Sequence, residues 1–466
     1  MLFNPKNFVK TNGSFVFSGG INASAHPCID KDIIKEFWHN FTFGASSLSV
    51  SHSKEFIFSV GGTEKLPLDG YEYSINIDQN GFCVYAKTEK DLIRGVMTLL
   101  DRFKAIDGND SLEIEVECCQ IKDKALVKNR MIHFCVFPET EIWELQRFIR
   151  FCGALKYTHI MIEFWGTLKY DCMKELAWPF AFTKEQIKPI MKEARDLGLE
   201  IIPMFNHWGH ASAGRVGHGK HVVLDQNPAL QTYFCEDGWC WDIRKPKVRA
   251  LLRKIRKELM DICGDSKYFH IGCDEAYNFE MTKENMDFIC DFINEISAEM
   301  KDHGRKIIVW GDMFLYKYST YKNIYTCNAP SPEVEKYLLD HLSREVIIAD
   351  WQYDAKKAPI ETCEVFLKAG FECLLCPWDR GEEEMNAALI TIKEKALMGL
   401  LQTTWHTLSR GMRYVTIAAV GSFEDVGAGA RQWARTYSAA LMRKVMPSKG
   451  DYEKSGWSKF EVDYYW

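Results

Sequence analysis

Eight short apolar segments, most of them followed by a stretch of helical periodicity, leave the chain beyond residue 122 few ways to fold. They are 131–137, 159–164, 200–205, 268–273, 306–310, 345–351, 372–376 and 399–405. Amphipathic helical patterns occupy 140–154, 183–197, 246–262 and 282–302, with further helical segments among the later runs. Strands separated by helices run parallel, and eight of them predict an α/β fold, a (β/α)8 TIM barrel with its ligand site at the strand carboxyl ends.

The 466 residues hold such a barrel, which needs about 250, with chain to spare. Residues 1–122 read as a small α/β accessory domain preceding it. Five strand-like runs (14–18, 55–60, 71–77, 82–86 and 112–117) and two helices (31–40 and 89–103) lie there, and no acid, base or nucleophile constellation stands out. Residues 123–466 form the barrel domain with a C-terminal aromatic tail.

The composition excludes several partners. A net charge of −6 with no sustained basic run predicts no nucleic acid and no anionic membrane surface. The first 20 residues have no apolar core of signal-peptide length, and no segment reaches a membrane span, so the expectation is a soluble, cytoplasmic protein. Sixteen cysteines are scattered without a repeating framework, some inside apolar runs as at Cys135 and Cys373, which suits reduced core thiols.

The residues at the predicted strand ends are biased. Glu163 and Trp165 follow the second strand, and Asn206, Trp208 and His210 the third. The fourth, in the stretch KYFHIGCDEAY (267–277), ends in the adjacent acids Asp274 and Glu275. Later strands offer Trp310, Asp312, Trp351, Tyr353, Trp378 and Trp405. Alone, an acidic pair is more simply a solvated turn before a helix N-terminus, and a single Trp is packing. A rim on which indoles and acids alternate suits a sugar instead, whose C–H faces lie against aromatic rings and whose hydroxyls need polar partners.

The run HIGCDE (270–275) resembles the Asp-Glu signature of glycoside hydrolase family 20, the β-N-acetylhexosaminidases, and within it the hexosaminidase D branch. The runs MIEF (161–164), IIPMFNHWGH (201–210) and VWGDM (309–313), with Trp351 and Trp405, support the resemblance across about 128–420. It implies an exo-acting, retaining β-N-acetylhexosaminidase with substrate-assisted catalysis, in which the substrate's acetamide attacks its own anomeric carbon. By that resemblance Glu275 is the general acid and base, with a raised pKa, and Asp274 stays ionised to orient the acetamide. His210 tunes Glu275, the Trp residues wall the acetamide pocket, and Glu163 and Asp312 take sugar hydroxyls. For both acids to reach one sugar, the strand must end at Gly272-Cys273, since successive strand residues face opposite ways.

The chain also departs from the commoner family pattern. Pro138 lies near the place of a sugar-binding Arg, Asn206 replaces an acid, and Trp378 stands where a Tyr bonds the acetamide carbonyl, which leaves Tyr353 as the candidate. The hexosaminidase D branch shares the first two departures and implies N-acetylgalactosamine over N-acetylglucosamine as the glycone. Two other functions stay open: a two-carboxylate glycosidase pairing Glu163 with Glu275, and a non-catalytic amino-sugar-binding protein.

Four histidines, His207, His210, His218 and His221, are spaced closely enough to suggest zinc, but no Cys or acid has the matching interval. We expect no metal and no cofactor. The Gly-rich loop 213–219 lacks the Lys-Ser/Thr of a phosphate loop and reads as a lid. The tail residues Trp457, Phe460, Tyr464, Tyr465 and Trp466 mark an interface if exposed and a cover if docked, which leaves a homodimer open.

Overall fold

A computed structural model describes residues 3–62, 67–212, 224, 227–316, 325–405, 408–427 and 429–447. The loop 213–219, His218, His221 and the aromatic tail lie outside the described residues.

The first part of the chain is one mixed eight-stranded sheet. Its strands are β1 (Asn7–Phe17), β2 (Gly19–Ala25), β3 (Ser46–Val50), β4 (Phe56–Val60), β5 (Tyr73–Asp78), β6 (Gly81–Ala86), β7 (Lys104–Asp107) and β8 (Leu112–Asp123). They are ordered β1-β8-β5-β6-β4-β2-β3, with β7 on β8. Helices Asp32–Phe41 and Glu89–Leu100 pack on it through Phe37, Trp38, Leu92, Val96 and Leu99, all wholly buried. The Thr88 hydroxyl accepts from Asp91 N and sets the start of the second helix. The strands β2 and β3 are rich in small residues and β7 has only four residues, and all three escaped the sequence reading.

The eight predicted barrel strands are present. They are β9 (Asn129–Cys135), β10 (His159–Glu163), β11 (Glu200–Met204), β12 (Tyr268–His270), β13 (Lys306–Trp310), β14 (Ile347–Asp350), β15 (Glu372–Leu375) and β16 (Gly399–Gln402). They close in sequence order, each parallel to its neighbours, with β16 returning to β9. Side-chain alternation separates two cores. Met131, Met161, Ile202, Met204, Ile308, Trp310, Ile347, Ala349, Leu374 and Leu401 fill the barrel interior. The intervening residues, such as Ile132, Ile160, Ile162 and Ile201, join the helical shell. Two barrel helices start at threonine caps that accept a backbone N–H three residues on, Thr183 from Gln186 and Thr282 from Asn285.

The two sheets meet around one buried cation. Lys156, in the left-handed region at φ 62°, is 1% exposed. Its Nζ lies 3.2 Å from Tyr73 Oη, 3.3 Å from Thr98 Oγ1 and 3.7 Å from Asp123 Oδ2. It also sits over the Phe3 and Phe423 rings, 3.7 and 4.0 Å from their centroids. Burial pulls its pKa down to about 8 against the attraction of Asp123. Among the described residues, no helix is long and apolar enough to cross a membrane.

Candidate active site

The site is built where β12 stops. The strand ends at His270, and Gly272 (φ 69°), Cys273 (φ 76°) and Glu275 (φ 48°) then take left-handed backbone. This breaks the alternation that would send Asp274 and Glu275 apart. Left-handed backbone costs a non-glycine residue of order 1–3 kcal/mol and persists only where the surroundings enforce it. Trp165 (φ 48°), His210 (φ 52°) and Trp405 (φ 42°) carry the same strain on the same rim. Gly209 is forced by contact, since a Cβ there would sit 1.8 Å from Asp274 O.

One imidazole faces both acids. His210 Nε2 lies 2.8 Å from Glu275 Oε2 and 3.5 Å from Asp274 Oδ2. The Tyr277 hydroxyl donates to Glu275 Oε1. Asp312 sits behind them. Its Oδ2 accepts from Glu275 N at 2.9 Å and from Asn328 Nδ2 at 2.7 Å, and its Oδ1 accepts from Trp351 Nε1 at 3.0 Å. Asn206 Nδ2 reaches Asp274 Oδ1 at 3.5 Å, the outer limit of a hydrogen bond.

The electrostatics of the two acids run opposite to the expected assignment. Burial, together with the charges of Asp312 and Glu275, outweighs the pull of His210 and pushes Asp274 up to about 7. Burial likewise dominates at Asp312, pushed up to about 6. Burial also opposes charge on Glu275, but its bonds from His210 and Tyr277 win and hold it below the usual range. Proton affinity in this carboxyl cluster is therefore higher on the enclosed side, and ionisation is favoured at Glu275. The reasons are burial, deeper at Asp274 and Asp312 than at Glu275, and the donors that reach the two adjacent acids. Two strong donors reach Glu275, and only a long amide contact and the shared imidazole reach Asp274.

Of the aromatic candidates, Trp351, Trp378 and Trp405 are partly exposed, and Tyr353 is 8% exposed. Tyr353 lies between Trp351 and Trp378, with ring centroids 5.0 and 5.3 Å away, and its hydroxyl accepts from Trp405 Nε1 at 2.8 Å. These four make one wall. Trp310 departs from the expected rim contact. It points inward from β13 and is wholly enclosed, with His270 at 4.3 Å and Trp405 at 5.8 Å, so it packs the floor. Trp165 and Trp208 are also core residues.

Glu163 needs a similar correction. It is wholly buried in the floor, with Oε2 3.4 Å from His133 Nε2 and 3.5 Å from Cys135 Sγ. The ligand atoms of His133, Cys135 and Glu163 lie within 4.8 Å of one another, and this is the group among the described residues that could hold a metal ion. The same spacing is that of a carboxylate accepting from an imidazole and a thiol. Pairing with Glu275 across a sugar is not supported for so enclosed a side chain. His207 is no part of a zinc loop either, being buried with Nδ1 2.6 Å from Phe205 O.

Sequence reasoning missed Tyr277, Trp239 and Asn328. Tyr277 stood inside the stretch 267–277, and Trp239 in the Trp-rich run DGWCWD (237–242). Trp239 Nε1 donates to Glu275 O at 2.6 Å, and its ring lies 4.5 Å from that of His210.

Comparison with known proteins agrees with this architecture. Residues 166–379 match the model described as glycosyl hydrolase family 20, catalytic domain. The chain is 20% identical to a lacto-N-biosidase of Bifidobacterium bifidum over 276 residues, 56% of this chain and 24% of that protein. It is 24% identical to beta-hexosaminidase subunit A1 of Dictyostelium discoideum over 287 residues, 56% of this chain and 52% of that one. It thus spans about a quarter and about half the length of these two relatives. An exo beta-N-acetylglucosaminidase from Vibrio harveyi superposes with a TM-score of 0.70 at 14% identity, covering 96% of this chain and 77% of that one. A beta-N-acetylhexosaminidase from Bacteroides fragilis gives 0.67 at 15%, covering 97% and 95%. The segment 166–379 is thus similar to the glycosyl hydrolase family 20 catalytic domain, and the solved structures share the fold of the chain.

Proposed function

We propose that this protein is an exo-acting, retaining β-N-acetylhexosaminidase that uses the acetamide of its substrate as the nucleophile. The observation that carries the reading is that one nitrogen, His210 Nε2, reaches both Asp274 and Glu275. Two acids on one side of a pocket suit one proton donor and one acetamide partner. Carboxylates that flank a sugar from opposite faces need another arrangement. Trp310 and Glu163 are wholly buried beneath the acids, which suits a site entered from one side by a terminal sugar.

In this mechanism the sugar lies against Trp351, Trp378 and Trp405. Its acetamide N–H donates to Asp274, and the Tyr353 hydroxyl is the candidate donor to the acetamide oxygen. Glu275 gives a proton to the glycosidic oxygen as that oxygen leaves C1, and the acetamide oxygen bonds to C1 to form an oxazolinium ring. Glu275, now ionised, takes a proton from the water that opens the ring, and configuration is retained.

Asp274 has the higher proton affinity of the two acids, so substrate binding must exchange the proton. An incoming N–H and the developing positive charge favour ionised Asp274. The sugar strips water from Glu275 and raises its proton affinity. His210 stands between the two oxygens concerned. The glycone follows the hexosaminidase D resemblance, N-acetylgalactosamine ahead of N-acetylglucosamine, and the same reading takes the protein as cytoplasmic.

The test is hydrolysis of chromogenic β-N-acetylgalactosaminide, β-N-acetylglucosaminide and plain β-galactoside. Cleavage confined to the acetamido sugars and lowered in Glu275→Gln and Asp274→Asn is the expected result. Equal cleavage of the sugar without an acetamide would sink the substrate-assisted step.

A further inference from the structure

We infer that Tyr277 and Trp239 form the subsite for the leaving group, and that this group is a second sugar lying against their rings. The inference rests on the proposed hydrolase activity and extends it to the other side of the scissile bond.

Three observations converge. The first is exposure at a conspicuous place. Tyr277 is 57% exposed although its hydroxyl bonds the buried acid cluster at Glu275 Oε1, so its ring stands in the open beside the acid. The leaving oxygen must come to the Glu275 carboxyl on the Tyr277 side, because that carboxyl is to protonate it. Whatever is attached to that oxygen then meets Tyr277.

The second is that the Trp239 ring lies nearly parallel to that of Tyr277, 6.4 Å away at 19°, and both are fastened to the acid. Trp239 Nε1 donates to Glu275 O at 2.6 Å. Trp239 rides a short hairpin in which Phe234 bridges Trp241 and Cys235 N donates to Cys240 O at 2.8 Å. Asn278 beside Tyr277 bonds Asp237 on that hairpin, tying the two loops together. A pair of aromatic faces held by this many polar contacts is a rigid platform, and flat apolar faces flanked by polar groups suit a pyranose.

The third is that Tyr277 occupies the oxygen of Glu275 which the leaving group needs. Its hydroxyl holds that carboxylate in the ionised form, and an arriving glycosidic oxygen takes its place. Tyr277 is then a positioning residue as well as a platform.

The experiment compares two substrates of one glycone, an N-acetylhexosamine β-linked to a second hexose and the methyl β-glycoside, in wild type, Tyr277→Ala and Tyr277→Phe. In Tyr277→Ala the ratio of kcat/KM for disaccharide over methyl glycoside should fall about tenfold, chiefly through KM. Tyr277→Phe keeps the ring and should keep most of that ratio. Its alkaline limb of kcat/KM should move to higher pH, because Glu275 has lost a donor to its charged form. A ratio unmoved in Tyr277→Ala overturns the platform, and a limb unmoved in Tyr277→Phe overturns the part of the hydroxyl. A wild type that cleaves neither substrate removes the hydrolase reading itself, a failure distinct from either of these.

Discussion

Asp274 and Glu275 are one peptide bond apart, yet their surroundings are built on opposite plans. The Asp274 side is enclosed. That residue is 4% exposed, backed by Asp312 at 1%, and poor in donors, so its proton affinity is raised. The Glu275 side is half open and rich in donors, with His210, Tyr277 and Trp239 all fastened to one residue. The lesson is that acid and base roles follow from who donates to whom, and neighbouring letters in a sequence can carry contrary charge states.

The largest effect that sharpens this contrast comes from removing each acid in turn. Glu275→Gln should lower kcat roughly 10²–10⁴-fold on a sugar leaving group and far less on a dinitrophenyl one, which leaves without protonation. Asp274→Asn should lose comparable activity on both. Equal leaving-group dependence in the two variants would dissolve the division.

Gly209→Ala comes next. Its Cβ would collide with Asp274 O, so the enclosed side must shift, and a loss on the order of 10²-fold is expected for a misplacement of about an ångström. A kinetically silent Gly209→Ala would mean that the enclosed side is not rigid.

His210→Asn is a smaller change on the open side. It removes the strongest donor to Glu275 and should cost about tenfold in kcat/KM at neutral pH while moving the alkaline limb upward. The smallest effect is on stability. A carboxyl whose folded pKa is about 7 against an ordinary 3.8 binds its proton more tightly when folded, so its stabilising contribution is full below pH 3.8 and is lost as pH rises through 7. Asp274→Asn should therefore raise Tm at pH 8 and leave it nearly unchanged at pH 4. Thermal melts at the two pH values check this, and an equal change at both would contradict the assignment.

Much of this was legible in the sequence, for identifiable reasons. The eight barrel strands are continuous apolar runs buried on both faces, and that signal survives without tertiary context. The acids at 274 and 275 were visible because a strand ending in carboxylates is unusual. The end of β12 at His270 is three residues earlier than the segment 268–273 suggested, since apolar Ile271 and Cys273 prolong the pattern while the backbone has already turned left-handed. The charge states were out of reach. They depend on Tyr277, whose direction follows from the turn at Glu275, and on His210, which arrives from 65 residues away. Glu163 and Trp310 looked like rim residues because a strand's last residue can line either the floor or the mouth.

The buried Lys156 bears on modularity. Its cation belongs to the barrel, and its counter-ion, Asp123, ends the last strand of the accessory sheet. A barrel excised at that boundary would keep a charge designed for a partner it no longer has, pressed against the Phe423 ring. An accessory domain grafted from elsewhere would need an acid at that one strand end to be accepted. The junction therefore works as a keyed coupling, and exchange of the two parts during evolution or engineering is restricted to pairs that carry both halves of the key.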